Sequence, residues 1–162
     1  MAARKGSRKP AAGAAPQLGR GEFVVYPGGP AAVYDLLERL TAAAGDSPDL
    51  GTPGISLDRT RLVVRWFGDP PPAVQRVLAD AGGVEVTVQR TAYRPGDLAD
   101  EAGRLRRDHP DVVAAATPRP EGDGIEVLVP PAVADAAGGA AAAIAGVPSA
   151  YPLTAEVGEA PA

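Results

Sequence analysis

The side chains that most enzymes use for proton transfer and nucleophilic attack are scarce in this sequence. His109 is the single histidine, and there is no cysteine. A catalytic triad needs a histidine that a carboxylate orients beside a serine. Of the four serines only Ser56 falls on a predicted strand, and none lies in a Gly-x-Ser-x-Gly turn. Because His109 directly follows a helical pattern, where it interacts favourably with the helix dipole, we expect no catalytic residue and a non-enzymatic protein.

Two short glycine-containing segments resemble parts of ligand-binding loops. Residues 121–124, Glu-Gly-Asp-Gly, hold two carboxylates but lack the further oxygen ligands of a calcium loop. The pair Gly28-Gly29 precedes a helical pattern, but no dinucleotide-binding or phosphate-loop motif surrounds it. Both segments have the composition of ordinary turns. One histidine without cysteine also leaves zinc without its usual ligands, so the sequence predicts no metal site and no cofactor.

Alternating strand and helix patterns between residues 54 and 130 must position any functional surface. Residues 62–67 and 84–89 have strand patterns, and a hairpin is expected around residues 121–124. Trp66 is the largest side chain available and is expected in the core. These patterns predict an α+β fold, with a small, mostly antiparallel sheet and helices packed on one of its faces.

Two helices are expected between these strands. Asp69 is placed to cap the first helix, and the second begins at Pro95, where the missing N–H of proline does no harm. The second helix carries an apolar stripe at helical spacing, formed by Leu98, Ala102 and Leu105.

The whole chain divides into four segments by composition. They are a disordered basic tail at 1–21, a strand–helix segment with its connector at 22–53, the compact α+β unit at 54–130, and an alanine-rich helix with a terminal edge strand at 131–162. The helix of the last segment is interrupted at Gly138-Gly139, and its strand pattern covers residues 153–157. No internal repeat is evident in the sequence, although two successive strand–helix steps give a weak structural echo.

The charge of the chain is unevenly distributed. The net charge of the 162 residues is −4, but residues 1–20 carry five basic side chains and no acid, which leaves −9 for the remainder. A nucleic-acid-binding face needs clustered cations to neutralise phosphates, so an acidic body argues against that function. No apolar run is long enough to span a bilayer, and residues 11–19 do not form a secretory signal.

About half of the chain resembles a known family. The segments Gly54-Ile55-Ser56-Leu57-Asp58 and Arg61-Leu62-Val63-Val64, with a strand-ending Gly68, look like the opening of the prosegment domains that precede secreted bacterial serine proteases of the α-lytic protease and streptogrisin group. The same order continues in Gly83-Val84-Glu85-Val86-Thr87-Val88, in Tyr93-Arg94-Pro95-Gly96-Asp97-Leu98, and in the closing strand Ile125-Glu126-Val127-Leu128-Val129.

The resemblance implies a protein that binds a protease without catalysing a reaction. Prosegments of this group assist the folding of their protease and then inhibit it, docking their sheet against a hairpin of the enzyme. We therefore expect a non-catalytic protein-binding module of the folding-assistant or inhibitor type. It would bind through an exposed strand edge and the sheet face opposite the helices, with Arg65, Phe67 and Arg119 as candidate contacts. The expected partner is a protein, and a serine protease in particular if the resemblance holds.

A second function is also open on the sequence alone. Small strand–helix–strand folds often hold a ligand in a cleft, so the alternative is a small-molecule-binding or regulatory α+β domain. A pocket with convergent polar groups would favour that alternative, whereas a flat sheet face would favour protein binding. The expected compartment also has two alternatives. The absence of a secretory signal indicates a cytoplasmic protein, whereas the prosegment resemblance implies an extracellular one.

Overall fold

The computed structural model describes residues 31–160, which form five helices and six strands. The helices are α1 (Ala31–Ala44), α2 (Pro72–Ala79), α3 (Pro95–Asp108), α4 (Pro131–Ala137) and α5 (Ala140–Ala143). The strands are β1 (Gly54–Ile55), β2 (Arg61–Trp66), β3 (Glu85–Arg90), β4 (Ala115–Pro118), β5 (Ile125–Val129) and β6 (Leu153–Val157). The tail predicted at 1–21 and the strand pattern at the start of segment 22–53 lie outside the described residues.

The strands form two three-stranded sheets of the same topology. In sheet A, β2 pairs antiparallel with β1 and parallel with β3. In sheet B, β5 pairs antiparallel with β4 and parallel with β6. A parallel pair needs a crossover connection, usually helical, and α2 provides it in sheet A while α4 and α5 provide it in sheet B.

Each sheet has its own hydrophobic core. Alternate residues of the central strands point at the helices and are fully or almost fully buried, namely Leu62, Val64 and Trp66 in β2 and Ile125, Val127 and Val129 in β5. The first core is completed by Val33, Leu36 and Leu40 of α1 and Val74 of α2. The second core is completed by Leu98, Ala102 and Leu105 of α3, together with Val113, Ala134 and Ile144. The described residues therefore fold as unit 1 (residues 31–90) and unit 2 (residues 95–157).

The two units repeat one architecture. Each runs helix, strand, strand, helical crossover and strand. The parallel strand pairs are also aligned in the same way: the first buried residue of the central strand lies opposite Val86 in sheet A (Leu62) and opposite Leu153 in sheet B (Ile125). The first helices also share a sequence pattern at a constant spacing of 65 residues, with Val33, Asp35, Arg39 and Leu40 matching Leu98, Asp100, Arg104 and Leu105. The sequence showed no evident repeat, whereas the structure has a clear one.

The α+β prediction is confirmed, and the strand patterns fall where they were expected. The strands form two mixed sheets rather than one mostly antiparallel sheet, and the boundary between the two cores falls within the predicted unit at 54–130. Local patterns identify strands but do not say which strands pair, since pairing depends on where each crossover helix returns the chain.

The predicted cap of the first helix is wrong. The helix α2 begins at Pro72 and is preceded by Pro71, and Asp69 makes an ion pair with Arg90 instead. A residue that precedes a proline is kept out of the helical conformation. The run of prolines from Pro70 therefore delays the helix beyond the reach of the Asp69 carboxylate.

Candidate functional site

Arg65 supports the connector that precedes sheet A. Its side chain projects from the face of β2 opposite the helices and is half-buried, because the chain around Gly51 and Gly54 packs over it. The guanidinium donates a hydrogen bond from Nη1 to the carbonyl of Thr52 at 2.9 Å, while its buried Nε has no hydrogen-bond partner. Arg65 therefore has a structural contact of its own on the predicted binding face.

Phe67 lies just beyond β2 and is covered by an arginine. The Arg94 guanidinium stands over its ring, 5.5 Å from the ring centre, and also contacts the Asp49 carboxylate at 2.8 Å. The backbone N–H of Phe67 bonds to the carbonyl of Asp49. Because Arg94 directly precedes α3 of unit 2 and Asp49 belongs to unit 1, this group of side chains ties the two units together.

Arg119 lies in the turn between β4 and β5. Its Nε contacts the Asp123 carboxylate at 3.1 Å across that turn. Gly122 has a left-handed backbone, φ 69°, and its N–H bonds to the carbonyl of Arg119. Residues 121–124 thus form a hairpin turn, as the sequence predicted. Arg65, Phe67 and Arg119 belong to three separate local contacts.

A cavity of about 250 Å³ lies where the two units meet. Proline and glycine make up half of its lining, including Pro48, Gly51, Pro95, Gly96, Pro118 and Pro120, and its polar side chains are those of Ser47, Thr52, Thr91 and Arg119. The Thr91 hydroxyl donates to the carbonyl of Tyr93, the Ser47 hydroxyl accepts from the backbone N–H of Asp49, and the carbonyl of Pro48 accepts from Gly96. With Arg119 paired to Asp123, three of these four polar side chains already bond within the protein.

The catalytic candidates stay apart in the structure. His109 lies just beyond the end of α3, where its backbone N–H bonds to Leu105. The Ser56 hydroxyl donates to Asp58 in the β1–β2 turn, and hydrogen bonds from Ser56 and Thr60 lower the pKa of Asp58 to about 2. Within residues 31–160 no group of three or more histidine or acidic side chains is arranged to hold a metal ion.

The outer edge of β6 presents backbone groups that no other described strand uses. Ile125 donates its N–H to Pro152, and Gly158 donates to Val129, each at 2.9 Å. In a parallel ladder, alternate residues bond to one neighbour, so the even-numbered residues of β6 face β5. The N–H and C=O groups of Leu153, Ala155 and Val157 consequently point away from sheet B.

A groove runs beside this edge; most of its lining residues have apolar side chains, although polar atoms make up about half of its exposed surface. It has a volume of about 570 Å³ and is lined by α5, the following loop and β6, through Ala141, Ile144, Ala145, Val147, Ser149, Tyr151, Leu153, Thr154 and Ala155. No residue of β5 lines it, so it opens on the outer side of β6. We call the outer edge of β6 together with this lining the edge groove.

The loop from Val147 to Tyr151 that shapes the edge groove is fixed to α3 by one ion-pair network. Arg104 binds both oxygens of Glu101, at 2.7 and 2.8 Å, and donates to the carbonyl of Pro148 at 2.8 Å. The Ser149 hydroxyl donates to the same carboxylate at 2.8 Å. The Arg104 hydrogen bonds lower the pKa of Glu101 from 4.5 to about 2, against the opposing effect of burial and with help from Ser149.

Sheet B has an acidic outer face. Glu126 of β5 and Glu156 of β6 project from the face opposite the helices, and both are exposed. Thr117 and Thr154 flank Glu126 on the same face, in register with it. The sequence predicted the terminal edge strand, at 153–157, but not the groove, because α5 and β6 meet only in the folded unit.

The fold and the edge groove define an α+β protein built from two similar units, the second of which has a strand edge that no other strand within residues 31–160 pairs with. No protein-family model matches the sequence, and a search of curated proteins finds no match. No helix within residues 31–160 is long and apolar enough to cross a membrane.

Proposed function

We propose that this protein is a non-catalytic protein-binding module that adds a strand of its partner to the free edge of β6. The observation that carries the proposal is the outward-facing backbone of Leu153, Ala155 and Val157 beside the edge groove. Main-chain hydrogen bonds to such an edge supply affinity, and pockets for alternate side chains supply specificity.

The groove resolves a difficulty that exposed strand edges usually present. Bare edges invite indiscriminate pairing, and proteins commonly protect them with charges, prolines or covering elements. Here β6 is five residues long and Val157 keeps 57% of its surface exposed, while α5 leaves the edge accessible. An accessible edge with an apolar wall is suited to a specific strand.

The partner class follows from the resemblance to protease prosegments. A prosegment-like domain would bind a serine protease, assist its folding and inhibit it. The three candidate contacts Arg65, Phe67 and Arg119 would contribute only if the partner extended from sheet B to the junction of the units, since they lie outside the edge groove.

Small-molecule binding has less support. The junction cavity is the natural place for a ligand, but three of the four polar side chains in its wall, those of Ser47, Thr91 and Arg119, already bond to neighbouring groups of the protein. A ligand site normally offers convergent polar groups that remain free to fix the ligand. We therefore place the function at the edge groove.

The test is capture followed by inhibition. Tagged intact protein is incubated separately with the lysate and the culture medium of the source organism, and any captured serine protease is purified and assayed in its presence. Ala155→Pro removes one N–H that points outward from β6. It leaves the hydrogen bonds to β5 intact, since the even-numbered residues of β6 make them, and proline is tolerated at such edge positions. Val88→Pro makes the same change at the matching position of β3 and serves as the control. In β3 the odd-numbered residues bond to β2, as the hydrogen bonds from Glu85 to Thr60 and from Thr91 to Trp66 indicate. The backbone N–H of Val88 therefore points outward.

The proposal expects inhibition by the wild type and by Val88→Pro, and its loss in Ala155→Pro. Circular dichroism and thermal melts check that both variants fold. Ala141→Trp fills the groove from the exposed side of α5 and tests the same point without touching a strand. Equal inhibition by all four proteins, or no captured protease in either fraction, would refute the proposal.

A further inference from the structure

The two units differ most where their last strands are exposed. In unit 1 the crossover helix α2 leads into β3 through a short turn at Gly82 and Gly83, whereas unit 2 inserts α5 and a loop before β6. Because α5 and the two residues that follow it contribute Ala141, Ile144 and Ala145 to the groove wall, unit 1 has no equivalent of that wall. The groove is thus a feature added to the shared architecture.

The outer faces of the two sheets also differ in charge at matching positions. Glu126 and Glu156 of sheet B occupy the positions of Val63 and Gln89 in sheet A, as the shared register shows. Sheet A carries Arg65 on this face, where sheet B has Leu128, and its one acidic residue there, Glu85, lies opposite Arg61. A face whose strands carry acidic side chains without basic ones is therefore specific to the sheet that has the groove.

These features restrict the strand that β6 can accept. Side chains alternate between the two faces of a strand, so one set of partner side chains would enter the groove among Ala141, Ala145 and Ala155. The other set would lie on the outer face beside Thr154 and Glu156. The small alanine side chains leave space in the groove for medium-sized apolar side chains of the partner. The Glu156 carboxylate attracts cationic side chains of the partner on the outer face.

A second copy of this chain fits poorly at the same edge. In a symmetric pair of β6 strands the acidic outer faces would join into one sheet, bringing like charges together. Like charges that face each other across neighbouring strands are destabilising.

Resting on the proposed function, we infer that the edge groove is selective for an extended segment in which apolar residues alternate with lysine or arginine. The apolar residues occupy the groove and the cations lie along the outer face of sheet B. Glu156 is the main determinant of this charge preference, since it lies on the edge strand itself, and Glu126 on the neighbouring strand adds a smaller effect.

The test uses two fluorescein-labelled synthetic peptides and the intact protein. One peptide alternates valine with lysine over seven residues, and the other replaces each lysine with glutamate. Binding is followed by fluorescence anisotropy at low salt and again at high salt. We expect the lysine peptide to bind about tenfold more tightly, because a few exposed ion pairs are replaced by repulsions.

Substitutions distinguish the charge preference from strand addition itself. Glu156→Gln should reduce the preference to about threefold or less, and Glu126→Gln should reduce it less. Ala155→Pro should abolish binding of both peptides, while Val88→Pro should leave it unchanged. The charge inference would be overturned if both peptides bound with equal affinity or if the glutamate peptide bound more tightly. If Ala155→Pro still abolished binding in that case, the proposed function would stand.

Other outcomes identify other occupants. If neither peptide binds, the strand-addition function itself fails. If sedimentation shows a dimer that Ala155→Pro dissociates, a second copy occupies the edge and the inference is overturned. If hydrogen exchange shows that peptide addition releases protection in residues 1–30, the chain's own N-terminal segment occupies the edge, which also overturns it.

Discussion

Replacement of Glu101 by glutamine should destabilise unit 2 above about pH 4.5 but not near pH 2. The Glu101 side chain is 12% exposed, and its carboxylate is held by both arms of Arg104 and by Ser149. Glutamine keeps the shape and some hydrogen bonds but loses the negative charge. The paired guanidinium then remains beside a neutral group, which is costly in a partly buried site.

The magnitude follows from the pKa. A fall from 4.5 to about 2 means that folding favours the charged carboxylate, which corresponds to roughly 3 kcal/mol at 1.36 kcal/mol for each pKa unit. Arg104 is 35% exposed, so solvent screening reduces the effect. We expect Glu101→Gln to lower the free energy of unfolding by about 2 kcal/mol at pH 7.

The pH dependence has a definite sign. Because the pKa of Glu101 is lower in the folded state, its stabilisation is fully present above pH 4.5 and is lost as the pH falls toward about 2. Urea denaturation at a series of pH values should therefore show the wild type and Glu101→Gln converging across that interval.

The matched control acts on the same arginine. Asp108 contacts Arg104 at 3.1 Å but is 51% exposed, so Asp108→Asn should cost less than about 0.5 kcal/mol. A cost below 0.5 kcal/mol for Glu101→Gln at pH 7, or a cost that stays constant down to pH 2, would refute the reasoning.

Three further predictions test the fold. Leu40→Ala and Leu105→Ala, at matching buried positions, should each lower the free energy of unfolding by about 2–5 kcal/mol. Hydrogen exchange should show faster local opening mainly in the unit that carries the substitution. Equal effects in both units would contradict separate cores. Gly124→Ala should cost at least about 1 kcal/mol by urea denaturation, because its new methyl group would lie 2.6 Å from the Pro152 carbonyl, and an unchanged midpoint would contradict the β5–β6 geometry. Arg59 has a left-handed backbone, φ 59°, so Arg59→Val should cost about 1–2 kcal/mol and Arg59→Asn much less, and similar midpoints for the two would refute this.

The sequence predicted the elements that depend on local pattern. The stripe of Leu98, Ala102 and Leu105 is buried as expected, and so is Trp66. The terminal strand at 153–157 also has the predicted limits. These predictions succeeded because helical and strand periodicities are properties of neighbouring residues.

Features that depend on distant contacts were not accessible in the same way. The division into two sheets depends on which strand each crossover helix returns to, and the repeat is marked in the first helices by only a few matching side chains, such as Arg39 and Arg104. The edge groove requires α5 to lie against β6, which no local pattern specifies.

The matching arginines hold corresponding segments of the two units. Arg39 binds the side chain and carbonyl of Asp80, and Arg104 binds the carbonyl of Pro148, so each arginine secures the chain between the crossover helix and the last strand of its unit. The secured segment is a short turn in unit 1 and the wall of a groove in unit 2. The longer segment in unit 2 also packs, because Ile144 is buried in the second core and Tyr151 lies against Tyr93, but it forms the wall of the edge groove as well. This difference is the reason for placing the function at β6 rather than at β3.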